Sequence, residues 1–463
     1  NISGVMTTHD NNSTSSTKSA SSEMDNPARV VIDGFPMAKN PREKRAASME
    51  LSVNRGLIML PEYTGHAEWS GPLSATRGSK ARSVALKIIE KAHVITDNLE
   101  VGNGKDISDE MWEPRLPVLE DLYDTSNRTD ILMAFKELSQ QCRQILEAQP
   151  MVVQAAAPCK IFGDIHGQFR DLLLIFHTYG FPSHLNGDAE FVSYIFNGDW
   201  IDRGAHQLEC VSLIMALKVL YPTRVWLLRG NHEFREMNEQ ATNRSFAQQC
   251  LQVFPAAPHQ DGHGPFYALA HTVFEWLPLA AVVEDSVLVV HGGIGDGNFT
   301  LADIAAVPRP LRSSLDSPVA FQVVWSDPVE EESLPDHGHP DRPATPRNTR
   351  AAVFSAETTD AFLAANGLAM IVRSHQFMPM GYKVMQGGRL ITVFSARDYM
   401  ERQSNDGAML LVVRDSEGHL RVRPKRLLHR EASLGADASV GCFAKFTRRL
   451  PAHLPVQIRP GGP

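Results

Sequence analysis

The stretch FVSYIFNGDWIDRG, residues 191–204, decides the fold. A short run of β-branched and aromatic residues, the composition of a buried strand, breaks at once into Asn197, Gly198, Asp199, Asp202, Arg203 and Gly204. The same syntax repeats on either side. KIF leads into GDIHGQ (163–168), RVWLL into RGNHE (229–233), SVLVV into HGG (291–293), LAMIV into RSHQ (373–376) and RLITVF into SARDY (395–399). Between the first three runs lie DLLLIFHTYG (171–180) and HQLECVSLIMALKVLY (206–221), which read as helices. Strands alternating with helices predict an α/β fold. Six strands that each end in a polar cluster set those clusters along one sheet edge, where α/β proteins bind ligands.

The rest of the chain bounds the reading. Its 463 residues suggest one to three domains, and 43% hydrophobic content is enough for a sizeable core. A net charge of −8 argues against nucleic-acid binding, because phosphate backbones need clustered Lys and Arg. Five scattered cysteines without a CxxC pair exclude a disulfide framework and a zinc knuckle, and fit a reducing compartment, the cytoplasm or nucleus. No apolar run reaches membrane-spanning length. The chain opens on Asn1 rather than Met, which reads as a fragment with room for a targeting signal upstream.

Residues 1–78, Ser-, Thr- and Asn-rich at their start, are expected to be largely disordered, since they cannot offset their ordering entropy by burial. Ser48 follows Arg45 in RAAS, a kinase-site pattern, although an ordinary linker is the plainer reading. Residues 79–124 read as a helical or irregular lead-in, with Val84, Ile88, Ile89 and His93 on one helix face. A second helix is expected over 129–150, ending before Pro150. Residues 431–463 read as a tail. Its basic stretch FAKFTRRL (443–450) suits a solvated segment better than a partner-binding one.

The strand ends supply Asp164, His166, Asp199, Asn231, His291 and His375. Carboxylate, imidazole and amide without thiolate suit Mn, Fe or Zn rather than Ca. A carboxylate can bridge two cations about 3.5–4 Å apart, and such a pair clamps the attacking and leaving oxygens of an in-line displacement. Arg203 and Arg350 are candidate phosphate ligands, since a guanidinium is a two-pronged, permanently charged donor. His232 adjoins Asn231 and can face a substrate while Asn231 faces a metal, with Asp202 holding the imidazole. His177, His184, His206 and His271 read as ordinary core or surface groups, and Trp325 as core packing.

GDIHGQ, GDWIDRG, LLRGNHE, HGG, WSDP, RSHQ and FSARDY together resemble the phosphoprotein phosphatase (PPP) family of serine/threonine protein phosphatases over residues 125–430. YIFNGDWIDRG and GYKVMQGGRLITVFSA look most like its type-5 branch. The resemblance implies a central β-sandwich flanked by helices, the calcineurin-like metallophosphoesterase fold, with a dinuclear metal site at the strand ends. It implies one metal on Asp164, His166 and Asp199, and the other on Asp199, Asn231, His291 and His375. It implies phosphate binding by Arg203, Arg350, Asn231 and His232, with His232 as general acid, Asp202 as its partner and Tyr399 lining the pocket. The nucleophile it implies is a hydroxide bridging the ions, divalent or trivalent, with Mn serving in vitro. The implied partners are phosphoprotein substrates and regulatory proteins, with no nucleic acid and no membrane. A dinucleotide polyphosphate hydrolase, or a weakly active scaffold, is the alternative.

Three departures from the family stand out. Arg350 is followed by Ala351 and Ala352 where the family has glycine, and Arg347 is a rival for its role. The family SAPNYC reads SARDYM, so Arg397 is expected as a cation near the pocket mouth, and Met400 offers no thiol. Residues 330–346 form an acidic insertion rich in Pro, expected as a solvated loop.

Overall fold

The short β-branched runs become strands, and two six-stranded sheets account for nearly all of them. The computed structural model describes residues 30–34, 79–99, 115–183, 188–239, 244–256, 262–329, 350–400 and 403–429. Ser48, His184, Arg347, the insertion 330–346 and the basic stretch 443–450 lie outside these residues. The described strands are β1 (Val30–Ile32), β2 (Val152–Ala155), β3 (Cys159–Phe162), β4 (Ser193–Phe196), β5 (Val225–Leu227), β6 (Ala280–Val283), β7 (Val287–Val290), β8 (Asp327–Pro328), β9 (Val353–Phe354), β10 (Met370–Arg373), β11 (Tyr382–Met385), β12 (Leu390–Val393), β13 (Gly407–Arg414) and β14 (Leu420–Leu427).

One sheet has the order β1-β14-β13-β3-β4-β5 and the other β11-β12-β10-β7-β6-β2. The six strands that carry the polar clusters are β3, β4 and β5, parallel in the first sheet, and β7, β10 and β12, parallel in the second. Val153, Ile161, Ile195, Val289, Val372, Ile391 and Leu410 belong to the apolar layer between the sheets. Strands buried on both faces read as continuous apolar runs, which is why these lack alternation.

The outer face of the first sheet is covered by α1 (Lys80–Asp97), α2 (Arg115–Tyr123), α3 (Arg128–Glu147), α4 (Phe169–Tyr179) and α5 (Gln207–Leu220). Downstream, α6 (Arg235–Glu239) and α7 (Phe246–Val253) lead to α8 (Pro265–Phe274), which packs on α3. Every residue of α5 is buried, the polar Gln207, Glu209, Ser212 and Lys218 included. A second apolar cluster, including Ile294, Val323 and Phe362, covers the other sheet.

Two local expectations change. Val30–Ile32, within the segment read as largely disordered, pairs parallel with β14 and closes that sheet edge. In α1, capped by Ser79, the buried seam is Ala81, Ala85, Ile88, Ile89, Ala92 and Thr96, while Val84 and His93 sit half-buried at its margins. The seam lies where α1 meets α5, so small residues outrank the larger ones that the periodicity favoured. No helix among the described residues is long and apolar enough to cross a membrane.

Ile88, fully buried in this seam, ties α1 to the same apolar cluster as α3 and α5. Ile88→Ala is expected to cost about 2–5 kcal/mol. Chemical denaturation measures it, and unchanged stability would mean that α1 stands apart from the core.

Candidate metal centre and active site

The two sheets are joined where their motif-bearing strands end. The Asp164 carbonyl, just past β3, accepts hydrogen bonds from Ser395 N at 3.0 Å and Ala396 N at 2.9 Å, just past β12. Gly163 N donates to Ser395 Oγ at 2.9 Å, and a Cβ at Gly163 would collide with the Val393 carbonyl. Asn197, past β4, donates from Nδ2 to the Val290 carbonyl and to Ser374 Oγ, both at 2.8 Å. These bonds carry one sheet's loops onto the other's, and every partner is buried, where an unmade bond would be costly.

Around this seam the candidate ligands converge. His166 Nδ1 lies 2.9 Å from the Ile201 carbonyl, which turns Nε2 towards Asp164 at 3.9 Å and Asp199 at 3.8 Å. His291 Nδ1 lies 2.7 Å from the Asn197 carbonyl, leaving Nε2 3.3 Å from Asp199 Oδ2 and 3.0 Å from Asn231 Oδ1. His375 Nδ1 is 2.8 Å from the same Asn231 oxygen. Backbone carbonyls thus orient two of the rings, as they do for metal-ligating histidines. His166, Asp199 and His232 form one group able to hold a cation, and Asp199, His291 and His375 another. Asp199 belongs to both.

The main chain is bent to make this possible. His166, Asp199, Asp202, Arg203 and His375 all have positive φ, from 47° to 82°. Non-glycine residues pay strain there, which persists only where surroundings enforce it. Glu233 does much of the enforcing: its carboxylate accepts from Asp199 N and Trp200 N at 2.8 Å and from Gly230 N at 2.9 Å. Gly198, at φ 83°, lies so close to Gly230 that a Cβ would overlap the Gly230 backbone.

The electrostatics follow from burial. Burial, and then the neighbouring Asp199 charge, raise the Asp164 carboxyl above its ordinary range. Burial works the same way on Asp199, but His291, His232 and His166 outweigh it and hold that carboxyl well below the ordinary range. Burial lowers His166 to about 3. Burial also opposes charge on His291, but Asp199 prevails and raises it to about 9. A buried carboxylate that favours protons on His291 and His232 is a site suited to cations, which displace such protons on binding. Oxygen and nitrogen donors without thiolate fit divalent or trivalent transition metals.

Beside this cluster stands a second set of groups. His232 Nδ1 lies 2.7 Å from Asp202 Oδ2, and Nε2 is directed to the cluster, 4.0 Å from Asp199 Oδ2. Asp202 also accepts from Phe246 N at 2.7 Å and Asn238 Nδ2 at 2.9 Å. The Tyr399 ring stacks on His166 at 5.1 Å between centroids, and the exposed Arg203 guanidinium lies 5.4 Å from the Tyr399 ring. Arg350 is exposed, its carbonyl accepting from Gln322 Nε2 at 3.2 Å. On the same helix as Gln322, Trp325 meets His375 edge-on at 5.5 Å, so it is half-buried beside the cluster as well as against the core.

Arg397 corrects an expectation. It is buried, not a cation at the pocket mouth: Nε and Nη2 donate to Asp171 Oδ1 at 3.2 and 3.0 Å, and Nη1 to the Leu428 carbonyl at 3.2 Å. The Arg397 amide also donates to Asp171 Oδ2 at 3.0 Å. A carboxylate from the first turn of α4 therefore neutralises it behind the loop that carries Tyr399. The sequence reading gave no role to Glu233, Asn197 or Asn238, and took His271 as an ordinary core or surface group. Glu233 and Asn197 stand inside the quoted motifs and were legible as polar residues after strands, whereas Asn238 and His271 carry no local signal.

Residues 157–379 match the calcineurin-like phosphoesterase family, and the paired sheets with such a cluster at their common edge have the calcineurin-like fold. The particular relatives are serine/threonine protein phosphatases. Serine/threonine-protein phosphatase BSL2 of Arabidopsis thaliana is 38% identical over 279 residues, 60% of this chain and 26% of that protein. Serine/threonine-protein phosphatase 5 of Homo sapiens is 36% identical over 281 residues, 60% of this chain and 50% of that protein. The chain thus spans half or less of these relatives. A solved Saccharomyces cerevisiae protein serine/threonine phosphatase with similarity to human phosphatase PP5 superposes with a TM-score of 0.54 at 28% identity, covering 65% of this chain and 91% of that one.

Two outcomes follow. Asp199→Asn, by removing the carboxylate common to both groups, is expected to abolish binding of both cations, read as metal per chain by elemental analysis. Arg397→Ala takes the guanidinium away from the buried Asp171 carboxylate and is expected to cost about 3–5 kcal/mol. In that variant the melting curve is the check, and an unshifted transition would show that the pair contributes nothing.

Proposed function

We propose that this chain is a metal-dependent serine/threonine protein phosphatase that hydrolyses phosphoserine and phosphothreonine monoesters. The observation that carries the reading is the His232–Asp202 pair, 2.7 Å apart, standing beside a donor cluster that shares Asp199. Two cations held by Asp164, His166, Asp199, Asn231, His291 and His375 would supply an activated water and neutralise phosphate charge. Mn, Fe and Zn all suit the donors.

The chain's own residues account for the rest. Arg203 and Arg350 take up charge on the phosphoryl oxygens, with Asn231 beside them and Tyr399 walling the pocket. His232, its Nδ1 held by Asp202, presents Nε2 to the leaving alkoxide and protonates it. Burial opposes charge on His232, but Asp199 and the bond to Asp202 outweigh it and raise its pKa. With water as nucleophile no phosphoenzyme forms.

The substrates are phosphoproteins, and regulatory proteins are the expected partners. The described cysteines, Cys142, Cys159, Cys210 and Cys250, are buried thiols outside any disulfide, which fits a cytoplasmic or nuclear protein. The scaffold alternative loses its motive at Arg397, whose charge is spent on Asp171 rather than in the pocket.

His232→Asn is expected to bind metal normally and to lower turnover of a phosphoserine peptide by about 10²–10⁴-fold. Full activity in that variant would overturn the role of His232. Running the wild type on diadenosine tetraphosphate alongside the peptide separates the two ester classes, and a preference for the dinucleotide would overturn the proposed substrate.

A further inference from the structure

His271, read from the sequence as an ordinary core histidine, lies at the end of a chain of side chains leading to the general acid. Its Nε2 is 2.8 Å from Asn238 Oδ1. Asn238 Nδ2 in turn donates to Asp202 Oδ2 at 2.9 Å and to the His232 carbonyl at 2.8 Å. Asp202 Oδ2 then meets His232 Nδ1 at 2.7 Å. All four residues are buried.

The hydrogen-bond roles along this chain are determined. Asp202 and the His232 carbonyl are acceptors, so both must receive the Asn238 amide N–H groups. The amide oxygen is left facing His271, whose Nε2 must therefore carry a proton. Burial, reinforced by the charges of Arg235 and Arg229, keeps His271 neutral, well below its ordinary pKa, and a neutral ring donates from one nitrogen. The ring is held by Tyr267 and Phe274, with centroids 4.3 and 5.1 Å away, on α8, where Phe266 stacks on Phe135 at 3.7 Å. The chain thus begins on a rigid element.

We propose that His271 is a positioning residue for the acid step: by donating to Asn238 Oδ1 it locks the amide that holds the Asp202 carboxylate, and so fixes the angle at which His232 meets the leaving oxygen. This rests on the phosphatase reading above. A buried polar chain with each bond made orients its last member more tightly than any one pair does. Removing the first donor loosens Asn238, then Asp202, then the ring of His232, and leaves the arginines and the other candidate metal donors in place.

The readout is dependence on the leaving group. An alkoxide from phosphoserine needs the proton of His232, whereas nitrophenolate departs with little help. In the metal-loaded enzyme, His271→Leu is expected to lower kcat on a phosphoserine peptide roughly 10-fold, a fraction of the 10²–10⁴ a general acid supplies. KM, and turnover of p-nitrophenyl phosphate, are expected to stay within about two-fold on the same reasoning. His271→Gln, which keeps a donor at the same reach, is expected to restore the ratio of the two substrates. In the zinc-loaded, diamagnetic protein, the His232 Nδ1 proton is expected as a downfield NMR signal that His271→Leu broadens or shifts and His271→Gln retains.

Equal losses on both esters, or none, with an unmoved proton signal, would overturn the proposal and leave His271 a packing residue. If His271→Leu does not fold, His271→Gln carries the test, and a ratio unlike wild type there overturns it. The proton signal reads the hydrogen bond whether or not any ester is cleaved, so the proposal and the phosphatase reading fail separately.

Discussion

One buried carboxylate, Asp199, is the constraint on which the site depends. It is the only acid common to both donor groups, and it lies almost wholly out of water. A charge in that position is tolerable only with compensating groups around it. His166, His232 and His291 supply them, each arriving from a different strand end. Asp164 adds a second carboxyl to the same space, which increases the negative charge and the demand for cations. The sandwich satisfies this demand because the ends of β3, β4, β5, β7 and β10 meet at one edge. Had those strands ended elsewhere, Asp199 would have lost these partners.

Holding such groups together requires rigidity that the ligands do not provide. Five candidate site residues adopt left-handed backbone, a conformation their own side chains disfavour. The Glu233 carboxylate, by binding three backbone amides of two loops, and Asn197, by bridging the sheets, supply what keeps them there. The glycines at 163 and 198 permit the approach, since neither position has room for a side chain. Function at this edge is therefore a property of two loops locked to two sheets.

Arg397 shows where a local reading runs out. Next to Tyr399 and in place of a proline, it reads as a new charge at the pocket. The structure instead turns it inward to Asp171, which stands 226 residues earlier in the chain. A residue's direction relative to a pocket depends on which distant group competes for it, and nothing within SARDYM names that competitor. Helix α1 makes the same point with packing: periodicity identified the helix, but α5 decided that its alanines would form the seam. His271 and Asn238 are invisible for the same reason, because they acquire meaning only from Asp202, which lies on another loop.

Read alone, the amino-acid order was enough to specify an α/β fold with its polar clusters at the strand ends, and to single out candidate metal-ligating side chains. Strand propensity, apolar runs and glycine-flanked acids are local properties, carried by a few neighbouring residues. Only the tertiary structure decided which nitrogen of each imidazole faces the centre, that Arg397 is spent behind the site, and that a chain from α8 reaches His232. Those are consequences of groups meeting across tens or hundreds of residues in a medium of low dielectric. There the energy depends on distance and orientation, which a one-dimensional order does not contain.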